Sequence, residues 1–172
     1  MASHGHKTII DPRHVNATGA IGRWAMMCVI IALAACSLND AYSQYQSLEE
    51  CRWDRRLPLR WHPVLSDSAA RYNVDLAVRH SGAYQYANLA VRLDFIGTDG
   101  TLRSRQVVLR LTDDEGNWRG AGFGSLYQLR TTVATDVPAS ELKSVVAWQA
   151  MDSVECLCDV AEVGLFVTPS SQ

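Results

Sequence analysis

From Arg71 to His80 the chain alternates: Tyr72, Val74, Leu76 and Val78 are apolar, while Arg71, Asn73, Asp75 and Arg79 between them are polar. Period two is the signature of a strand with one face buried. The pattern returns from Asn88 to Phe95, with Leu89, Val91, Leu93 and Phe95 inward, and again at Val107, Leu109 and Leu111 after the turn Gly97-Thr98-Asp99-Gly100. Side chains facing each other across an antiparallel pair have position numbers with a constant sum, and odd–odd pairing makes that sum even. Centring the loop on Gly100 pairs Leu93 with Val107, Val91 with Leu109 and Leu89 with Leu111. Further strands are predicted near 58–64, 126–133, 144–151 and 160–168, and no window of helical period exceeds two turns. Short strands separated by regular turn signals predict an all-β fold, a single antiparallel β-sandwich of jelly-roll type over residues 57–172. An up-and-down barrel is the alternative, and the pattern leaves strand order open.

One stretch departs from alternation altogether. Trp24 to Ala35 is an unbroken apolar run, too short to cross a bilayer as a helix, which needs about 20 residues. It follows Lys7, Arg13 and Arg23 with only Asp11 opposing them, and it ends Leu33-Ala34-Ala35-Cys36. Positive charge, a short apolar core and small residues before the cut describe a secretory signal. The Leu-x-Ala-Cys ending resembles a bacterial lipobox, in which the Cys36 thiol takes a diacylglycerol and becomes the mature N-terminus. The expected organisation is a signal peptide at 1–35, a lipidated N-terminus and polar tether at 36–56, and the sandwich. No cofactor is expected beyond the covalent lipid on Cys36.

Charge narrows the partners. Three of the 16 Lys+Arg and one of the 18 Asp+Glu fall within 1–35, leaving 13 and 17 and a formal charge of −4 on the mature part. Nucleic-acid binding needs a basic face, and the arginines here are scattered among acids. With Cys36 lipidated, Cys51, Cys156 and Cys158 remain, an odd number that permits one internal bridge, expected from Cys51 to either of the other two. A zinc site is disfavoured because Cys-x-Cys with a distant cysteine and His62 lacks ligand spacing, so no metal is expected.

The most unusual mature stretch is "LTDDEGNWRGAGFGSLY", Leu111 to Tyr127. It lacks the Lys-Ser/Thr of a phosphate loop and the alternating aspartates of a calcium loop. Glycines in β-proteins mark bulges, tight bends or close backbone approach, which gives a structural reading in which Trp118 folds back over the loop as a lid. The functional reading makes it a partner-facing surface of Asp113, Asp114, Glu115, Trp118, Gly120, Gly122, Gly124 and Tyr127, since loops on rigid sheets carry binding residues and Trp and Tyr are enriched at hot spots. Catalytic constellations are missing: the mature chain has only His62 and His80 as imidazole bases, and nothing sets two carboxylates across a cleft. No enzyme is expected. Tyr84, Tyr86 and Trp118 offer an aromatic platform for a glycan, the alternative reading.

Assembled, these residues resemble the gliding-motility lipoprotein GldH family of the Bacteroidota. The resemblance is carried by Cys36, Tyr42-x-x-Tyr45, Trp53, "RYN" at 71–73, "RHSGAYQYANL" at 79–89, "LTDDEGNWRGAGFGSLYQLR" at 111–130 and the closing "DVAEVGLFV". It implies a lipid-anchored cell-envelope protein of the gliding apparatus, linked to type IX secretion and working with other envelope or motility proteins rather than as an enzyme. Ser37 after the cysteine, with Asp40 the only acid in the next four positions, implies the outer membrane with the domain facing the periplasm. The long N-terminal segment and the Cys156-x-Cys158 pair depart from the family pattern.

Overall fold

A computed structural model of the chain describes residues 40–170, so the predicted signal peptide and Cys36 lie outside the described residues. Eleven strands follow one another: β1 (Tyr42–Ser47), β2 (Trp53–Asp54), β3 (Leu59–Trp61), β4 (Arg71–Ser81), β5 (Asn88–Ile96), β6 (Leu102–Arg110), β7 (Ala121–Phe123), β8 (Leu126–Pro138), β9 (Ser144–Gln149), β10 (Cys156–Leu157) and β11 (Val160–Pro169). A five-stranded sheet has the order β1-β11-β4-β8-β7, a four-stranded sheet the order β3-β9-β5-β6, and β10 pairs with β2. Every ladder among the described residues is antiparallel. Without the short β2, β7 and β10, the chain visits the two sheets in the order of a double Greek key, so the sandwich is a jelly roll.

The alternation explains why the two sheets close on each other. Tyr72, Val74, Leu76 and Val78 of β4 meet Leu89, Val91, Leu93 and Phe95 of β5 in one core, joined by Val163, Leu165 and Val167 of β11 and Val145 and Ala147 of β9. Outward from β4 the polar residues form a second layer. Arg79 is ion-paired with Glu162 and stands 4.0 Å over the Tyr45 ring, while Arg130 pairs with Asp75 at 2.8 Å and stands 4.0 Å over Phe166.

Three expectations are corrected. The segment expected as a tether is folded: β1 pairs with β11 from Tyr42↔Val167 to Ser47↔Glu162, and Trp53 is fully buried in the core. "YSQYQS" hid this strand because the positions sharing a face with Val167, Leu165 and Val163 are Tyr42, Gln44 and Gln46, polar residues that an edge strand tolerates. The strand is tied to β3: the Gln44 backbone O accepts from Trp61 Nε1 at 3.1 Å, and Gln46 Nε2 donates to Arg60 O at 2.5 Å.

The second correction is one of register. β5 and β6 pair Leu89 with Leu109, Val91 with Val107 and Leu93 with Arg105, two residues from the predicted alignment although every face is preserved. The loop sets it. Gly97 N donates to Thr101 O at 2.8 Å and Gly100 N to Gly97 O at 3.1 Å, with Gly100 at φ 83°. A left-handed residue belongs at the last position of such a three-residue loop, so the axis falls on Asp99 rather than Gly100.

Third, Cys51, Cys156 and Cys158 are free thiols in the structure, with no bridge among them. The pairing of Asp54 with Cys156 does bring the two segments side by side. Cys51 sits in a turn with φ 55°, however, outside the β2 ladder that would aim its side chain at β10.

Candidate functional site

The loops divide between the two ends of the sandwich. At the end where β4 finishes, the 82–87 loop, the 111–120 loop, the β7–β8 hairpin and β10 come together. Its centre is His80, the last inward position of β4. The side chain is fully buried, Nδ1 donates to Ser81 O at 2.9 Å, and Nε2 has no protein partner. Burial disfavours the imidazolium and holds the pKa below its ordinary value, so the ring is a neutral, mainly apolar pedestal.

Aromatic rings enclose that pedestal. Trp118 lies edge-to-face at 4.6 Å from His80, Tyr127 stacks at 5.8 Å and Tyr84 stands at 5.5 Å. Edge-to-face and offset contacts at these separations stabilise by about 0.5–1.5 kcal/mol each beyond the area they bury. Tyr84 is buried and its hydroxyl donates to Asn88 O at 3.0 Å, while burial pushes its phenol pKa up. Trp118 and Tyr127, 6.0 Å apart, are only half-buried.

The backbone around them is tightly specified. Leu111 N donates to Ala87 O at 2.8 Å and Arg119 N to Leu111 O at 2.7 Å, with Thr112 and Trp118 bridged between. Asp113 closes the loop: Oδ1 accepts from Glu115 N at 3.1 Å and Asn117 N at 2.8 Å, and Oδ2 from Asn117 Nδ2 at 3.1 Å. These bonds hold its carboxyl below the usual range, with the Asn117 bonds foremost. Gly120 has φ 93°, and a Cβ there would fall 2.0 Å from Gln128 O. No other residue type lets β7 approach β8 so closely.

The eight predicted surface residues therefore separate. Asp113 and Gly120 serve the loop itself, and Gly124 begins the two-residue β7–β8 turn. Asp114 is exposed beside Arg110 at 2.6 Å, and Glu115 is exposed at the loop tip. Trp118 and Tyr127 are brought together as a half-open aromatic pair, and Gly122 leaves open space where a side chain would stand. Sequence reasoning placed His80 merely at a strand end. Its parity with Tyr72, Val74, Leu76 and Val78 was the available signal that it faces inward.

Comparison with known proteins takes up this same surface. The family described as GldH lipoprotein matches residues 40–167, from β1 to most of β11 with the Trp118 loop included. The chain belongs to the GldH lipoprotein family. Its relatives include the "Gliding motility lipoprotein GldH homolog" of Christiangramia forsetii, 24% identical over 149 residues that span 82% of this chain and 91% of that protein. The family thus associates the chain with gliding motility and a lipid-anchored place in the cell envelope. Among solved structures, the chain is similar to a carbohydrate-binding module specific for non-crystalline cellulose, with 14% identity, TM-score 0.34 and coverage of 76% of this chain and 74% of that one. It is also similar to the infectious bursal disease virus VP2 subviral particle, with 15% identity, TM-score 0.31 and coverage of 76% and 30%. Scores this low leave function unaddressed.

Proposed function

We propose that this GldH-family protein is a non-enzymatic interaction subunit of the gliding apparatus and of the type IX secretion linked to it. In this reading Cys36 carries the lipid, the outer membrane holds it, and the domain faces the periplasm. The observation that carries it is the half-open Trp118–Tyr127 pair over the buried His80 ring, with Asp114 and Glu115 exposed in the same loop as Trp118. An aromatic pair fixed on a rigid base loses little entropy on binding, which favours it as an anchor for a protein partner. Tyr84 and Tyr86 stand at 67° and Tyr84 and Trp118 at 55°, with Tyr84 buried, so the three rings form no flat platform for a sugar.

The test is affinity recovery from native membranes with wild type, Trp118→Ala and Tyr127→Ala, alongside thermal melting of each. Half-burial predicts that Trp118→Ala costs about 1–2 kcal/mol, less than the 3–5 of a wholly buried ring. A folded variant that loses its envelope partners supports the reading; one that retains them all removes the surface from consideration. For the anchor, Cys36→Ser should abolish acylation and release the domain, because membrane holding rests on the acyl chains. Labelled palmitate retained by Cys36→Ser would overturn that assignment.

A further inference from the structure

We infer that the sandwich stands end-on against the bilayer, through the end opposite Trp118. The inference rests on the proposed lipid at Cys36 and adds the surface that meets the membrane. That end is built from the β3–β4, β5–β6 and β8–β9 loops. Pairings of Trp61 with Val145, Ile96 with both Ser144 and Leu102, and Arg71 with Pro138 set their roots at a common level. Bonds from Thr98 N to Ser140 O at 2.8 Å and from Ala139 N to Ala70 O at 3.1 Å knit the loops together.

Where the chain reaches the sheet selects this end. Ala41 N donates to Val167 O at 2.7 Å, and Val167 pairs with Val74. Val74 lies three residues from the start of β4 and seven from its finish, about 10 Å and 23 Å at the rise of a strand. Asp40 is four positions after Cys36, a reach of at most about 14 Å. Asp40 is itself held by Arg130 at 2.9 Å, so little slack remains between lipid and domain.

The surface there suits a lipid interface. Of the four exposed large hydrophobics among the described residues, Val64 at 87% and Leu102 at 62% lie at this end. Val64 also lines a shallow cavity of about 390 Å³, together with Pro63, Leu65, Thr98, Leu142 and Lys143. The acids are occupied: Asp67 accepts from Ala69 N and Ala70 N, Asp99 from Thr101, while Asp136 pairs with Arg71 and Glu141 with Arg103. Arg105, which donates to Val133 O, and Lys143 stand outside these pairs and offset the charges that Asp67 and Asp99 keep, so the contact is apolar rather than electrostatic. It therefore needs no anionic lipid and survives salt, which weakens only charge-driven binding.

The test couples the full mature chain, with Cys51, Cys156 and Cys158 replaced by serine, through Cys36 to a maleimide lipid in phosphatidylcholine nanodiscs. Gadolinium-chelating headgroups then broaden amide resonances close to the bilayer. Val64, Thr98 and Leu102 should be broadened several-fold more than Trp118 and Tyr86, unchanged at high salt, and Val64→Asp with Leu102→Asp should erase the contrast. Uniform broadening, or stronger broadening at Trp118 or on the outer face of the five-stranded sheet, would overturn the inference. Because the coupling is chemical, this result is independent of acylation in the cell, which mass spectrometry of membrane-extracted protein reads separately.

Discussion

Gly120 and Gly122 sit two apart in one motif and do different things. At Gly120 the obstacle to a side chain is the Gln128 carbonyl, part of a ladder that cannot step aside, and φ adds strain of its own. Gly120→Ala should cost more than about 2 kcal/mol in chemical denaturation. Gly122→Ala meets open space and should stay within about 0.5 kcal/mol. If the second variant binds partners normally, the alternation of glycines is wholly a matter of strand approach. His80 gives a pH signature. Its folded pKa lies below the ordinary value because burial penalises the charge, so the unfolded chain takes up the proton first. Stability is then complete above about pH 6.5 and falls as pH drops through that value toward the depressed folded pKa. Melting temperatures from pH 7.5 to 5 should decline in wild type and flatten over that range in His80→Leu, after allowing for its own offset.

Among the elements, seven strands were legible, β4 and β5 most clearly because they set apolar residues on one face and polar residues on the other, while β9 and β11 show as short apolar runs buried on both faces. β1 escaped because an edge strand is half-covered, and its outward Tyr45 packs under Arg79 against Gly164 instead of entering the core. β2, β7 and β10 are two or three residues long, too short to show a period. The β5–β6 register needed the conformation of Gly100, which composition alone does not reveal. At the candidate site the loop and Trp118 were legible from unusual residue types. The pedestal was not, because His80 acts through burial, and burial of a single histidine depends on what the opposite loops bring over it. Thiol chemistry tests the β2–β10 corner: labelling of the unreduced, denatured domain should find three free thiols, whereas one would mean that Cys51 has bridged.

For the molecule as a whole, the jelly-roll order puts the first and last strands side by side, so the edge nearest the proposed anchor is also where the chain finishes. Six Cα pairs from Tyr42↔Val167 to Ser47↔Glu162 make up that edge ladder. A motility machine works under load, and the direction of pull decides how these pairs share it. Tension applied between a lipid at Cys36 and a partner at Trp118 runs along β1, so it shears the whole ladder and the Arg79–Tyr45 and Arg130–Asp40 contacts at once. Tension across the sheet would peel the same bonds one after another. In single-molecule pulling, handles at positions 36 and 118 should therefore give a higher unfolding force than handles at 47 and 118, and β1 would serve as the grip by which a small domain bears strain between membrane and machinery.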